Sequence, residues 1–484
     1  MPSRPQDTVA RNTALLLVAQ VLVKVLAFAA LVVLANRLDV ETFGLFNFAL
    51  AFASLFVPLA DLGIDTFLVR ELAADPERHA TLTGTALRLK LATAAATLMI
   101  IIVAYAIAPK AEVSLGLMAL AALLIVIRSL PATISALFRA RQLMASDSLI
   151  QVVAKVAELL AIAAALLFSA PLWGLYGFLI VGAIVHLATV LCMARQRGLL
   201  TDLRYDHEAV RRLVIGGLPF AATGVSVMIY FHIDAVLLAY LVGEAETGLY
   251  RAATNVMFAA SGFSAAIVLA LFPMVAERHE RNREETVHLA RNAVSYSMVL
   301  ALPMAFGGAA LAAPLIESFY RTSYAGAEPV LTMLVWWLPL SFVTNVFGYV
   351  LGAIGRQSAV LRVTIINAVF NVLLNLLLIP EFGAFGAAIA TVATEALGWL
   401  LLRGIVHREF GAMIDVSRLL RIALASAPLL LLAFFGSMFS VFVLLAGGIV
   451  LFALCAFAVR AITIDEVRYL ASLARRRRPD AASA

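Results

Sequence analysis

The chain has 484 residues, 63% hydrophobic and only 14% charged, with a mean hydropathy of +0.98. Soluble domains carry about 45–50% apolar and about 25% charged residues, so this composition excludes a water-soluble enzyme or nucleic-acid binder and makes the bilayer the solvent. The formal net charge of +6 reflects the Lys and Arg that cytoplasmic loops of membrane proteins collect. The two cysteines, Cys192 and Cys455, suggest neither a disulfide framework nor a metal site.

A spanning helix takes about 20 mostly apolar residues, and runs of that kind predict fourteen spans. The first, 12–36, lacks a small-residue cleavage site and is expected to stay as an anchor. Lys24 lies twelve residues into it, about 18 Å along the helix and near mid-membrane. An ionisable group at that depth costs several kcal/mol unless it meets protein, water or a partner, which makes Lys24 the leading candidate for substrate contact. Span 2 (43–69) carries Asp61 and Asp65 near its inner end, expected to accept from loop backbone or to pair with Arg70. Span 3 (82–108) carries Arg88 and Lys90 about two turns from its cytoplasmic end, and span 4 (113–137) carries Arg128 in its inner part. These three can either meet an anionic substrate or snorkel. Span 5 (149–168) sets Lys155 and Glu158 three apart, a spacing that pairs them on one face. Span 6 covers 172–194.

Span 7 (213–242) holds His232 and Asp234 in its outer part. A membrane carboxylate with a nearby His can relay a proton or bind a sodium ion. Spans 8, 9 and 10 cover 248–275, 292–316 and 328–351. In span 11 (359–379), Asn367, Asn371 and Asn375 recur every four residues as a polar stripe. Such a stripe can hydrogen-bond sugar hydroxyls across a cavity or bind neighbouring helices. Span 12 (384–405) holds Glu395, another candidate for ion coupling, and spans 13 and 14 cover 419–436 and 440–460. Prolines inside spans mark kinks, with Pro219 and Pro339 as candidate hinges.

With a cytoplasmic N-terminus, the even-numbered connections hold most of the arginines, from Arg70 and Arg78 through Arg211 and Arg212 to Arg408 and Arg418. The opposite side holds Arg37, Lys110, Arg251 and Arg321, a bias that places both termini inside. The run Arg475–Arg478 then forms a basic cytoplasmic tail, explained more simply by anionic lipid than by nucleic acid. External connections are short, and no metal-ligand cluster, nucleophile elbow or phosphate loop is present in the sequence. The chain is therefore expected not to be an enzyme and to use no cofactor beyond a coupling ion, H+ or Na+. With no nucleotide-binding motif, an ion gradient is the more plausible energy source than ATP.

The sequence also repeats. Glu41-Thr42-Phe43-Gly44-Leu45-Phe46 opens span 2 and Glu246-Thr247-Gly248-Leu249-Tyr250 opens span 8, aligning Gly44 with Gly248 at an offset of 204. Pro171-x-x-Gly174-x-x-Gly177 precedes span 6 as Pro380-x-x-Gly383-x-x-Gly386 precedes span 12, and Arg141-Gln142 matches Arg356-Gln357. Six spans is an even number, so the halves share one orientation, as in transporters that rock two bundles about a cavity. The expected organisation is an all-α integral membrane protein. A six-helix bundle (1–196), a cytoplasmic linker (197–212) and a second bundle (213–406) precede helices 13 and 14 (407–462) and the tail (463–484).

These phrases, with Leu-Ala-Asp-Leu-Gly-Ile-Asp at 59–65, Phe-Arg-Ala-Arg at 138–141, Tyr-Phe-His-Ile-Asp at 230–234, Gly-Leu-Tyr-Arg-Ala-Ala at 248–253 and the stretch 371–388, run over nearly the whole chain. On them the chain resembles the polysaccharide-transporter family of lipid-linked oligosaccharide flippases, within the multidrug/oligosaccharidyl-lipid/polysaccharide exporter superfamily. The resemblance implies V-shaped paired bundles alternating between inward- and outward-open states. It also implies movement of an undecaprenyl-pyrophosphate-linked oligosaccharide to the outer leaflet of a bacterial inner membrane, for surface polysaccharide assembly. Lys24, Arg88, Lys90 and Arg128, with the asparagine stripe, would meet the anionic glycolipid, and His232, Asp234 and Glu395 would couple an ion. Membrane lipid, a polysaccharide polymerase and a chain-length regulator are the partners implied, and no nucleic acid. The alternatives are a lipid II flippase and a multidrug/cation antiporter. Against the first, Val23-Lys24-Val25-Leu26 departs from the arginine-bearing phrase those flippases carry in span 1.

Overall fold

A computed structural model of the chain describes residues 22–75, 79–279, 283–436 and 438–463, with side chains described outside 263–286. The described residues are helical and contain no strand. Eleven helices among them are long and apolar enough to cross a membrane. The remaining expected spans also have their helices. α1 (Leu22–Ala35) is the described part of the first, and α10 (Glu244–His279) covers the eighth. α15 (Gln357–Phe410) holds both the eleventh and twelfth, divided at Gly383, whose backbone is not helical (φ 55°, ψ −135°). Residues 12–21 of the first span and the run Arg475–Arg478 lie outside the described residues. Apolar side chains point outward along the helices: Ile107 is 79% and Leu167 81% exposed, as lipid-facing positions must be.

The second span is broken rather than continuous. α2 (Val40–Ser54) gives way to a five-residue turn of helix, α3 (Val57–Asp61), and then to α4 (Ile64–Ala74). Pro58 supplies no N–H, so it fits the first turn of α3. Leu62 and Gly63 then take left-handed conformations, φ 48° and 71°, which separate α3 from α4. α5 (His79–Ile107), α6 (Leu115–Ala140), α7 (Met144–Leu167), α8 (Leu172–Gln196) and α9 (His207–Leu241) follow as expected.

The first compact unit runs through Asn255 and takes in Thr364–Ala390. α6 sits at its centre, packed on α2, α4, α5 and α8, with α7 on α8. Ile64, Leu68, Leu137, Phe138 and Leu213 form part of a core with almost no exposed surface. The sequence repeat suggested a boundary at 197–212, whereas the packing carries α9 into this unit against α2, α3, α4 and α5. Glycine is the reason α9 comes so close. A Cβ on Gly217 would overlap the Leu62 carbonyl, and one on Gly63 would overlap the Gly217 carbonyl. At the far end, Lys110 donates to the Ala239 carbonyl (2.6 Å) and pairs with Glu244 (2.7 Å).

Gly44 and Gly248, equivalent in the repeat, pack reciprocally. A Cβ on Gly44 would overlap the carbonyl of Glu244, and one on Gly248 would overlap the carbonyl of Val40. Each glycine thus meets the residue four before its counterpart. That reciprocity is what a two-fold relation between α2 and α10 produces.

The second unit holds, among the described residues, Val256–Val363 and 391–463. α11 (Arg283–Ala310) packs there on α13 (Ala327–Leu334), α14 (Trp337–Ala353) and α16 (Val416–Ser426). α12 (Ala312–Phe319) packs on α13, and α17 (Val441–Ala458) is the last helix among the described residues. The tenth span is therefore two helices, α13 and α14. Pro339 stands in the first turn of α14, where its missing N–H costs little, directly after the division between α13 and α14. Span 13 is helical only to Ser426; Pro428 then opens a 3-10 stretch, Ala427–Phe435.

Candidate functional site

Three sets of polar side chains are held within the apolar helices of the first unit. In one, Glu158 on α7 accepts from Lys155 (2.7 Å) and from Arg128 on α6 (3.1 Å). Lys155 and Glu158 pair along one helix face, as their spacing requires. Arg128 joins them from the next helix, which the spacing could not reveal. One carboxylate serves two cations, so the triad carries one positive charge in excess. Its side chains remain 21–31% exposed, within reach of a ligand.

Lys24 is exposed on α1, and Arg88 is exposed on α5 with its guanidinium 5.3 Å from the ring centre of Tyr205. Lys90 differs: its side chain is 2% exposed and lies between Asp61 (3.1 Å) and Asp65 (3.2 Å). Asp61 and Asp65 therefore pair with Lys90 rather than with Arg70. The ammonium is occupied by two carboxylates and does not face open space, contrary to the expectation that it meets substrate.

The third set surrounds Asp234 on α9, which is 3% exposed. Its carboxylate accepts from the hydroxyl of Tyr250 (2.5 Å) and from Nδ2 of Asn375 (2.6 Å). Asn375 also donates to the Asn371 carbonyl (2.9 Å), so two members of the asparagine stripe lie against Asp234. Asn367, a turn earlier, stays half-buried with Oδ1 unbonded among the described residues. Oδ1 of Asn375 and Nδ1 of His232 are likewise buried without a partner among the described residues. Arg251, half-buried on α10, donates to Oδ1 of Asn47 (3.3 Å) and acts electrostatically on Asp234. Arg251, placed on the external side by the charge bias, stands near the start of α10. Glu246 on α10 accepts from the N–H of Ala384 (2.7 Å), capping the half of α15 that starts after Gly383.

Glu395 lies in the second unit, 7% exposed, accepting the hydroxyl of Thr344 on α14. Sequence reading missed Asn47, Tyr250 and Arg251 as members of these clusters. Tyr250 and Arg251 do belong to the phrase at 248–253, and Asn47 follows the repeated phrase at 41–46 directly. Among the described residues no group of three or more His, Cys, Asp or Glu could hold a metal ion.

Comparison with known proteins adds the lineage. A family model described as polysaccharide biosynthesis protein matches residues 9–279, and a second, described as MatE, matches residues 219–377. A Haloferax volcanii protein named as a probable low-salt glycan biosynthesis flippase, Agl15, is 27% identical over 173 residues. That match covers 36% of this chain and 37% of the relative, little more than a third of its length. Among solved structures, the lipid II flippase MurJ in an inward-closed conformation superposes with a TM-score of 0.60 at 15% identity, over 94% of this chain and 98% of that one. An inward-facing multidrug resistance MATE family transporter of the MOP superfamily gives 0.65 at 15% identity, over 83% and 100%. At that identity the likeness shows a shared fold.

Proposed function

Because the chain belongs to the polysaccharide biosynthesis protein family, we propose that it is a flippase that carries a lipid-linked oligosaccharide across the membrane by alternating access. The observation that carries this reading is the family match over residues 9–279, more than half of the chain. The name of Agl15 supports the cargo class. In this reading the direction is from the cytoplasmic to the outer leaflet of a bacterial inner membrane, with undecaprenyl pyrophosphate as the carrier and both termini cytoplasmic. A polysaccharide polymerase would act after translocation.

The residues suit an anionic glycolipid. Lys24, Arg88 and the excess charge of Arg128 and Lys155 attract a diphosphate strongly where the dielectric is low, and Arg suits bidentate phosphate contacts. The set around Asp234 suits the coupling ion, H+ or Na+. It combines a buried carboxylate with two buried polar atoms, Asn375 Oδ1 and His232 Nδ1, that lack partners among the described residues. Such atoms gain most from a bound cation or proton.

The test is the leaflet distribution of lipid-linked glycans in cells with and without this protein. Complete glycan units stranded on the cytoplasmic leaflet are the expected result, and those units identify the cargo. Normal arrival at the outer leaflet would overturn the reading. Efflux of cationic small molecules would then be measured, the second reading favoured by the MatE match over 219–377.

A further inference from the structure

Three ionisable side chains meet where α3, α4 and α5 pack on α6, two of them buried, and their charges do not cancel. Lys90 on α5 donates to Asp61 (3.1 Å) and to Oδ2 of Asp65 (3.2 Å). Thr133 on α6 donates its hydroxyl to the other oxygen of Asp65, and the Asp65 N–H donates to Asp61 (3.3 Å). All three side chains are hydrogen-bonded, but one ammonium faces two carboxylates. Among the described residues Asp61 and Asp65 form no ion pair other than those with Lys90, and Arg70 on α4 is exposed. On α4, Glu71 is taken by Arg212 of α9; on α6, Arg128 is taken by Glu158; on α5, Arg88 lies over Tyr205.

The cluster lies inside an apolar helix: Lys90 stands three residues from the middle of His79–Ile107, about 5 Å along the helix. An uncompensated charge there is strongly disfavoured. A metal cation is a poor remedy, because the ammonium already occupies the position between the carboxylates. A proton is the remaining species that restores neutrality.

We propose that Asp61 and Asp65 share one exchangeable proton beside Lys90, forming a proton-carrying site separate from the Asp234 set. In release, a carboxylic O–H breaks, its electron pair stays on the carboxylate oxygen, and the proton passes to water. Asp61 is the exit, since its side chain is 26% exposed against 10% for Asp65. The site adjoins the left-handed pair Leu62–Gly63, where α4 parts from α3 and Gly63 meets α9 at Gly217. Deprotonation leaves a net negative charge beside that break, which drives the carboxylates towards water and loosens the start of α4. The proposal does not depend on the cargo, so a failed glycan assay leaves it standing.

Infrared spectroscopy of the full-length protein in lipid nanodiscs tests it. Wild type is expected to show a carboxylic-acid carbonyl band that fades reversibly as pH rises. Asp65→Asn should lose that component, as should Asp61→Asn, while Asp234→Asn and Glu395→Gln keep it. Both test variants leave Lys90 with one carboxylate, a neutral pair, so folding should survive. Hydrogen–deuterium exchange over residues 55–75, corrected for intrinsic pH dependence, should rise at least about threefold across the same titration in wild type only. A band absent from wild type, or unchanged in both Asp61→Asn and Asp65→Asn, overturns the proton site. Exchange that ignores the titration overturns its link to the break.

Discussion

Glu158 holds two cations, so removing its charge leaves Arg128 and Lys155 repelling each other in a half-buried place. Breaking a fully buried pair costs about 3–5 kcal/mol; with 21–31% exposure, about 1–2 kcal/mol is expected here. Glu158→Gln should therefore lower the unfolding temperature of the purified protein, and adding Lys155→Met should restore most of it. Lys24→Ala should abolish translocation without loss of expression, read as glycan units retained on the cytoplasmic leaflet; normal export by that variant would remove Lys24 from the site. At the N-cap of α2, burial pushes the Asp39 carboxyl up, but hydrogen bonds from the N–H and hydroxyl of Thr42 outweigh it and hold it below the usual carboxylate range. That stabilisation is present at neutral pH and lost as pH falls through the depressed value. Of these residues, Lys24 and the Lys155–Glu158 pair are legible in the sequence, because depth and spacing along one helix are local quantities. Arg128's place beside Glu158 and Lys90's between Asp61 and Asp65 are not, since each partner comes from another helix.

Helices here meet through backbone at a few glycines. Gly44→Ala should cost about 1–3 kcal/mol, the usual range for overpacking, because the added methyl overlaps the Glu244 carbonyl, which cannot move without α10. Gly248→Ala should cost a similar amount, and the double variant less than the sum, since both open the same contact. Gly177→Ala, with nothing within 4 Å of the new Cβ, should leave the unfolding temperature unchanged. Glu246→Ala should cost about 1 kcal/mol, the ordinary value of a helix cap, because it frees the Ala384 N–H at the start of the second half of α15. The repeated phrases expose Gly44 and Gly248 as equivalent positions. That they touch is a property of two packed helices and is invisible along one chain. The same holds for the α3–α4 break and the α13–α14 division, where apolar content continues through a change of backbone direction.

For the whole molecule, the arginine bias predicts a definite topology. With Cys192 and Cys455 replaced, a cysteine at Ser169 or Gly243 should react with an impermeant thiol reagent from outside intact cells, and one at Gly198 or Gly355 only after lysis. The reverse pattern would invert the orientation proposed above. The sequence by itself determined that the chain is a multi-pass helical membrane protein, where its spans lie, and the family to which it belongs. Each of those follows from composition, run length or short phrases, all read along one dimension. Only the tertiary structure decided which polar groups meet: Asp234 with Tyr250 and Asn375, Glu158 with Arg128, and Asp61 and Asp65 with Lys90. In an apolar solvent a buried charge must find its partner inside the protein, and helices far apart in sequence supply it.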